Sequence, residues 1–141
     1  MCDKSFTWIS LPTEHYMLLL GKSLSVFSSN NGFIIENILH TDNSYSWYEL
    51  TDKESGRLIA DVDKTITKKA GPNIAKKFGK IVEMRNRIIH GFRITSTDGE
   101  QILATKERGT GRQFYITEEY MCQFIILNCE LSDMLHKYRG Y

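Results

Sequence analysis

Cysteine, proline and long apolar runs are scarce in this chain of 141 residues. It has three cysteines and two prolines, and its longest apolar stretch, residues 16–20, falls far short of the ~20 residues that span a bilayer. No membrane association is expected. The cysteines, Cys2, Cys122 and Cys129, form no CxxC pair, which disfavours both a disulfide framework and a zinc site. Cys122 and Cys129 are seven positions apart and are expected as buried thiols on one helix face. His15, His40 and His136 lack a second ligand one helical turn away and read as surface or satisfied core residues. Residues 1–9 carry no basic segment followed by an apolar one, so a cytoplasmic location is expected. No cofactor signature occurs.

What is present suits a globular protein. An apolar share of 41% and a charged share of 25% are ordinary, and at this length roughly two thirds of the unfolded surface can be buried. A single domain over residues 1–141 follows. The net charge of +1 conceals an asymmetry. Lys64, Lys68, Lys69, Lys76, Lys77, Lys80, Arg85, Arg87 and Arg93 stand against one acid, Glu83, so half of the eighteen basic residues lie in that segment. Such a local field attracts phosphate; the plain alternative is a solvated lysine face.

Helical spacing dominates. Thr13 can cap a helix through Tyr16, Met17, Leu20, Leu24 and Phe27; residues 28–32 interrupt it, and the stripe resumes at Ile34, Ile35, Ile38 and Leu39, as one kinked helix or two collinear ones. A polar turn and a short aromatic segment of undetermined state, residues 47–50, follow. Residues 54–70 read as one helix through Leu58, Ile59, Val62 and Ile66, stopped by Gly71 and Pro72. The next begins near Asn73 as cap, packs Ile74, Phe78, Ile81, Val82, Ile88 and Ile89, and ends at Gly91. Residues 93–105 read as a hairpin about a type I′ turn at Asp98-Gly99. The loop RGTGR, residues 108–112, lacks P-loop spacing and leads to a third short strand at residues 114–116. Thr117 caps a last helix lined by Met121, Phe124, Ile125, Leu131 and Leu135. The expected fold is mostly α: a bundle of four to five helices with a small antiparallel β-hairpin, about residues 93–116, inserted before the C-terminal helix.

Within that frame the stretch VEMRNRIIHGF, residues 82–92, places Arg85 in the middle of the apolar stripe, between Ile81 and Ile88 or Ile89. An arginine cannot shed its charge, so it needs a carboxylate, carbonyls or an anionic ligand there. Asn86 and His90 share a helix flank, with His90 about 140° round from Arg85 at ~100° per residue. Unwinding at Gly91 or a second copy of the helix would be needed to bring the two together.

An Arg-x4-His motif with asparagine directly after the arginine, near the end of a helix in a small helical bundle, resembles the HEPN superfamily (higher eukaryotes and prokaryotes nucleotide-binding). The segment ESGRLIADV, residues 54–62, is similar to the helix preceding the motif helix in members of that family. The family's usual tyrosine two places after the histidine is Phe92 here. The resemblance implies a homodimer with two motifs facing one cleft and metal-independent cleavage of RNA, in a toxin or defence role. His90 would take the 2′-hydroxyl proton, as an imidazole titrating near neutral pH can. Arg85 would grip the phosphate, and Asn86 would orient His90 or donate to phosphate. Lys76, Lys77, Lys80, Arg87 and Arg93 would attract the RNA backbone.

Two other readings stay open. Arg85 can be the buried ion-pair partner of Glu36, Glu49 or an acid elsewhere, with Asn86 a surface amide and His90 bonding the last carbonyls of its helix. The chain is then a non-catalytic protein partner, an antitoxin or an immunity protein whose acidic remainder engages a basic nuclease. RNA binding without cleavage is disfavoured, because the aromatic residues are not interleaved with the basic ones in sequence.

Overall fold

The computed structural model describes residues 7–140, so Cys2 lies outside the described residues, as does most of the segment considered above for a targeting signal. Among the described residues there are six helices, α1 Glu14–Thr41, α2 Trp47–Asp52, α3 Ser55–Lys64, α4 Ile66–Ala70, α5 Asn73–Ile89 and α6 Glu118–Arg139. Between α5 and α6 lie three strands, β1 Phe92–Thr95, β2 Gln101–Lys106 and β3 Gln113–Ile116, forming an antiparallel sheet in that order. The expected mostly helical bundle with an antiparallel insertion before the last helix is therefore present. No described helix is long and apolar enough to cross a membrane.

The differences in detail have local causes. Helix α1 runs unbroken through residues 28–32 because its buried stripe is partly polar: Ser23, Asn30 and Asn37 are buried between Leu19, Phe27, Ile34 and Ile38. Asn30 donates through Nδ2 to the carbonyl of Asn128 at 2.7 Å, tying α1 to α6 along the most extensive helix pair of the bundle. Met17 and Leu24, expected inside, are exposed, because the true stripe runs through Leu19 and Ser23. The segment 54–70 is two helices rather than one. At Thr65 the backbone leaves helical geometry (φ −122°, ψ −82°), and its buried hydroxyl donates to the carbonyl of Asp61 at 2.7 Å, a back-bond that bends helices.

The aromatic segment at residues 47–50 opens the short helix α2, whose Leu50 is fully buried. Pro72, not Asn73, occupies the cap position of α5, and no side chain closes that turn. Gly71 terminates α4 with φ +83°, as expected of a glycine cap. The β1–β2 turn is not type I′: Gly99 alone has positive φ there, and bonds from Gly99 N–H to Ser96 O and Ser96 N–H to Glu100 O close a three-residue loop with a bulge. Cys122 and Cys129 are exposed, contrary to the expected burial, because α6 turns Met121, Phe124, Asn128 and Leu131 inward instead.

The core joins Ile34, Ile38, Leu58, Phe78, Ile81 and Phe124 at zero exposure. Tyr16 fastens the sheet to it. Its hydroxyl donates to Ile116 O at 2.6 Å and accepts from Leu103 N–H at 3.0 Å, and burial pushes its pKa up. Gly91 lets β1 leave α5 sharply, since a Cβ there would stand 3.0 Å from Ile88 O and 3.4 Å from Ala104 O.

Candidate functional site

Arg85 sits on the core-facing side of α5 and is half-buried. Its guanidinium carbon lies 5.1 Å from the centre of the Phe27 ring of α1, and Nη1 donates to Asn86 Oδ1 at 3.1 Å. Among the described residues no carboxylate pairs with it; neither Glu36 nor Glu49 does so, and Glu83, the one acid of α5, faces Arg87 instead. The charge is thus held by an aromatic face, one amide and solvent.

Asn86 is the link between the two ends of the motif. Its side chain accepts from Arg85, and its carbonyl accepts from the backbone N–H of His90 at 3.0 Å, the bond that closes α5. His90 is exposed, and its imidazole makes no hydrogen bond or ion pair with a described residue. The helix keeps its geometry through Ile89, so the angle of about 140° between Arg85 and His90 is retained, and the guanidinium turns to Asn86 and Phe27 rather than to the imidazole.

The five expected phosphate-attracting residues divide. Lys76 and Lys80 are exposed and unpaired among the described residues; with Lys77 they rim a hollow of about 520 Å³ between α5 and α6, floored by Leu127 and Met134. Lys77 is paired with Glu130 of α6. Arg87 is half-buried, donates to the carbonyl of Lys106, and has Nε 3.3 Å from Glu83 Oε1, within ion-pair range although that N–H is not aligned for a hydrogen bond. Arg93 on β1 donates to Gln101 of β2.

Tyr16 reaches the sheet beside Gly91 while Phe27, farther along α1, lies under Arg85, so α1 and α5 run antiparallel here. Met17 and Leu24 of α1, Ile89 at the end of α5, expected inside, and Phe92 of β1 are exposed apolar residues. Phe27 is the functional neighbour that sequence spacing could not identify, because it comes from a helix far away in the chain. Among the described residues no group of three His, Cys, Asp or Glu side chains is arranged to hold a metal ion. No family model, curated protein or solved structure matches the chain.

Proposed function

We propose that the chain is a metal-independent endoribonuclease of HEPN type, working as a cytoplasmic homodimer in a toxin or defence role. The observation that carries this reading is the Arg85 guanidinium, half-buried yet unpaired with any described carboxylate. A fixed fork in partly desolvated surroundings is a strong receptor for phosphate. Exposed apolar residues on the two helices that carry Phe27 and Arg85, Leu24 on α1 and Ile89 on α5, suit a two-fold contact that sets Arg85 of one copy against His90 of the other.

In that cleft His90 accepts the proton of an RNA 2′-hydroxyl, and the freed oxygen attacks the adjacent phosphorus. The bond from phosphorus to the 5′-oxygen breaks. A 2′,3′-cyclic phosphate remains on one fragment, and the departing 5′-oxygen takes up a proton. Arg85 offsets the charge developing on the nonbridging oxygens, and Asn86 holds Arg85 in place through its amide. The RNA supplies its own nucleophile, so the route needs no metal.

The test is incubation of the purified protein with total RNA in EDTA, beside Arg85→Ala and His90→Ala. Cleavage that survives chelation, leaves cyclic phosphate ends and disappears in both variants supports the enzyme. Intact RNA throughout overturns it and favours the alternative of a helical protein that binds and neutralises a nuclease toxin.

A further inference from the structure

A second hollow, of about 390 Å³, opens between the later turns of α5, the β2–β3 loop and the start of α6. It plays no part in the reaction above, and its volume falls at the lower end of small-ligand sites, ~300–1,000 Å³. Its walls come from residues far apart in the chain. Phe114 of β3 and Tyr120 of α6 are both half-buried, with ring centres 5.7 Å apart and planes at 53°. Arg87 rises from α5, and Arg108 and Arg112 come from the loop.

That loop is a built structure. Glu107 N–H donates to Arg112 O, Gly111 N–H donates to Glu107 O at 3.1 Å, and Gly109 and Gly111 take φ +90° and +71°, so the chain folds back and holds the two arginines at its ends. Arg112 sets Nε and Nη2 on Glu107 Oε2 at 3.1 and 2.9 Å. Arg87 faces Glu83. Both acids of the hollow are therefore engaged, and Arg108, exposed, makes no hydrogen bond or ion pair with a described residue. One cation is left over beside two aromatic rings.

Aromatic faces and guanidinium planes together are what an unstacked base and its phosphate require. Lys76, Lys80 and Arg87 recur on α5 at spacings that share one helix face, with the single acid between them, Glu83, turned to Arg87, so the exposed lysines form a track leading from the lysine-rimmed hollow towards this one. Sequence order concealed the interleaving of basic and aromatic side chains, because the sheet and α6 supply the rings and α5 the track.

We infer that this hollow is a nucleotide subsite for single-stranded RNA, seating one base against Phe114 and Tyr120 and its phosphate on Arg108. The inference rests on the reading that the chain engages RNA, but not on cleavage. Its test is fluorescence anisotropy with a labelled RNA oligomer methylated at every 2′-oxygen, which cannot be cut through that oxygen and so reports binding alone.

Phe114→Leu, which keeps apolar bulk but loses the ring face, weakens binding about tenfold. Arg108→Ala, at an exposed position, weakens it and lowers the slope of log affinity against log salt by about one. Lys22→Ala, exposed on α1, leaves the affinity unchanged. Wild-type affinity in both hollow variants overturns the subsite while leaving the ribonuclease proposal to the EDTA assay. Equal weakening in Lys22→Ala, or no binding of the oligomer by the wild type, overturns it as well.

Discussion

Arg85→Met separates a guanidinium kept for a ligand from one that neutralises an internal acid. Methionine keeps the apolar stem against Phe27 and removes the charge. From the structure, the loss comprises one cation–π contact, worth ~0.5–1 kcal/mol at a partly solvated site, and one hydrogen bond to an amide, worth ~1 kcal/mol. Asn86 is half-buried and can turn to water, so the expected cost is about 1–2 kcal/mol. Breaking a buried ion pair would instead cost ~3–5 kcal/mol, because the surviving charge stays desolvated. Urea unfolding followed by far-UV circular dichroism distinguishes the two, provided the slope m is unchanged. In a thermal melt the smaller loss is a fall of about 3–7 °C. A loss above ~3 kcal/mol at constant m would refute the reasoning, since it would require an acid that the contacts of Arg85 do not include. RNA cleavage should vanish in the same variant while the fold persists.

Tyr16→Phe leaves the Ile116 carbonyl and the Leu103 N–H without their shared partner, and should cost about 2–4 kcal/mol in urea unfolding; a loss below ~1 kcal/mol would contradict the pinning role. Burial first, and Glu83 second, push the Tyr120 pKa up to about 12 from an ordinary 10.0. Its folded pKa is raised, so its contribution to stability is complete below pH ~10 and is lost as pH climbs towards ~12; ultraviolet titration should show a late-ionising tyrosine that Tyr120→Phe removes. Cys122 and Cys129 are exposed, so both should react with a thiol reagent in the folded protein, and a reaction that waits for denaturant would contradict their placement.

Apolar periodicity reads a helix well where the buried face is apolar throughout. It located α5 through Ile74, Phe78, Ile81 and Val82, and α6 through Met121, Phe124, Leu131 and Leu135. On α1 it found Tyr16, Phe27, Ile34, Ile35 and Ile38 but put Met17 and Leu24 inside and passed over Ser23, Asn30 and Asn37, interior residues that count as polar in any such scan. The reason is energetic: Asn30 reaches the Asn128 carbonyl and Asn37 bonds back to Phe33, so hydrogen bonds offset much of the cost of burying these amides. The break at Thr65 is hidden for a related reason, since the back-bond of one hydroxyl decides it and the apolar pattern runs straight across.

At the candidate site, the helical wheel put Arg85 in the middle of the apolar stripe and His90 on another flank; in the structure Arg85 is only half-buried, at the margin of the stripe where Ile89 is exposed, and His90 is exposed. What a wheel cannot supply is the partner of a charge, because partners come from other elements. Here the partner is the ring of Phe27 together with the neighbouring amide, which leaves most of the donor capacity of the guanidinium unused. A cation in that condition is inexpensive to keep only at an edge that water or an anion can reach. Because α5 is regular through Ile89, Arg85 and His90 leave the helix in directions about 140° apart. Under the ribonuclease proposal a second copy supplies the facing motif, and the exposed apolar residues Leu24 of α1 and Ile89 of α5 are open to such a contact.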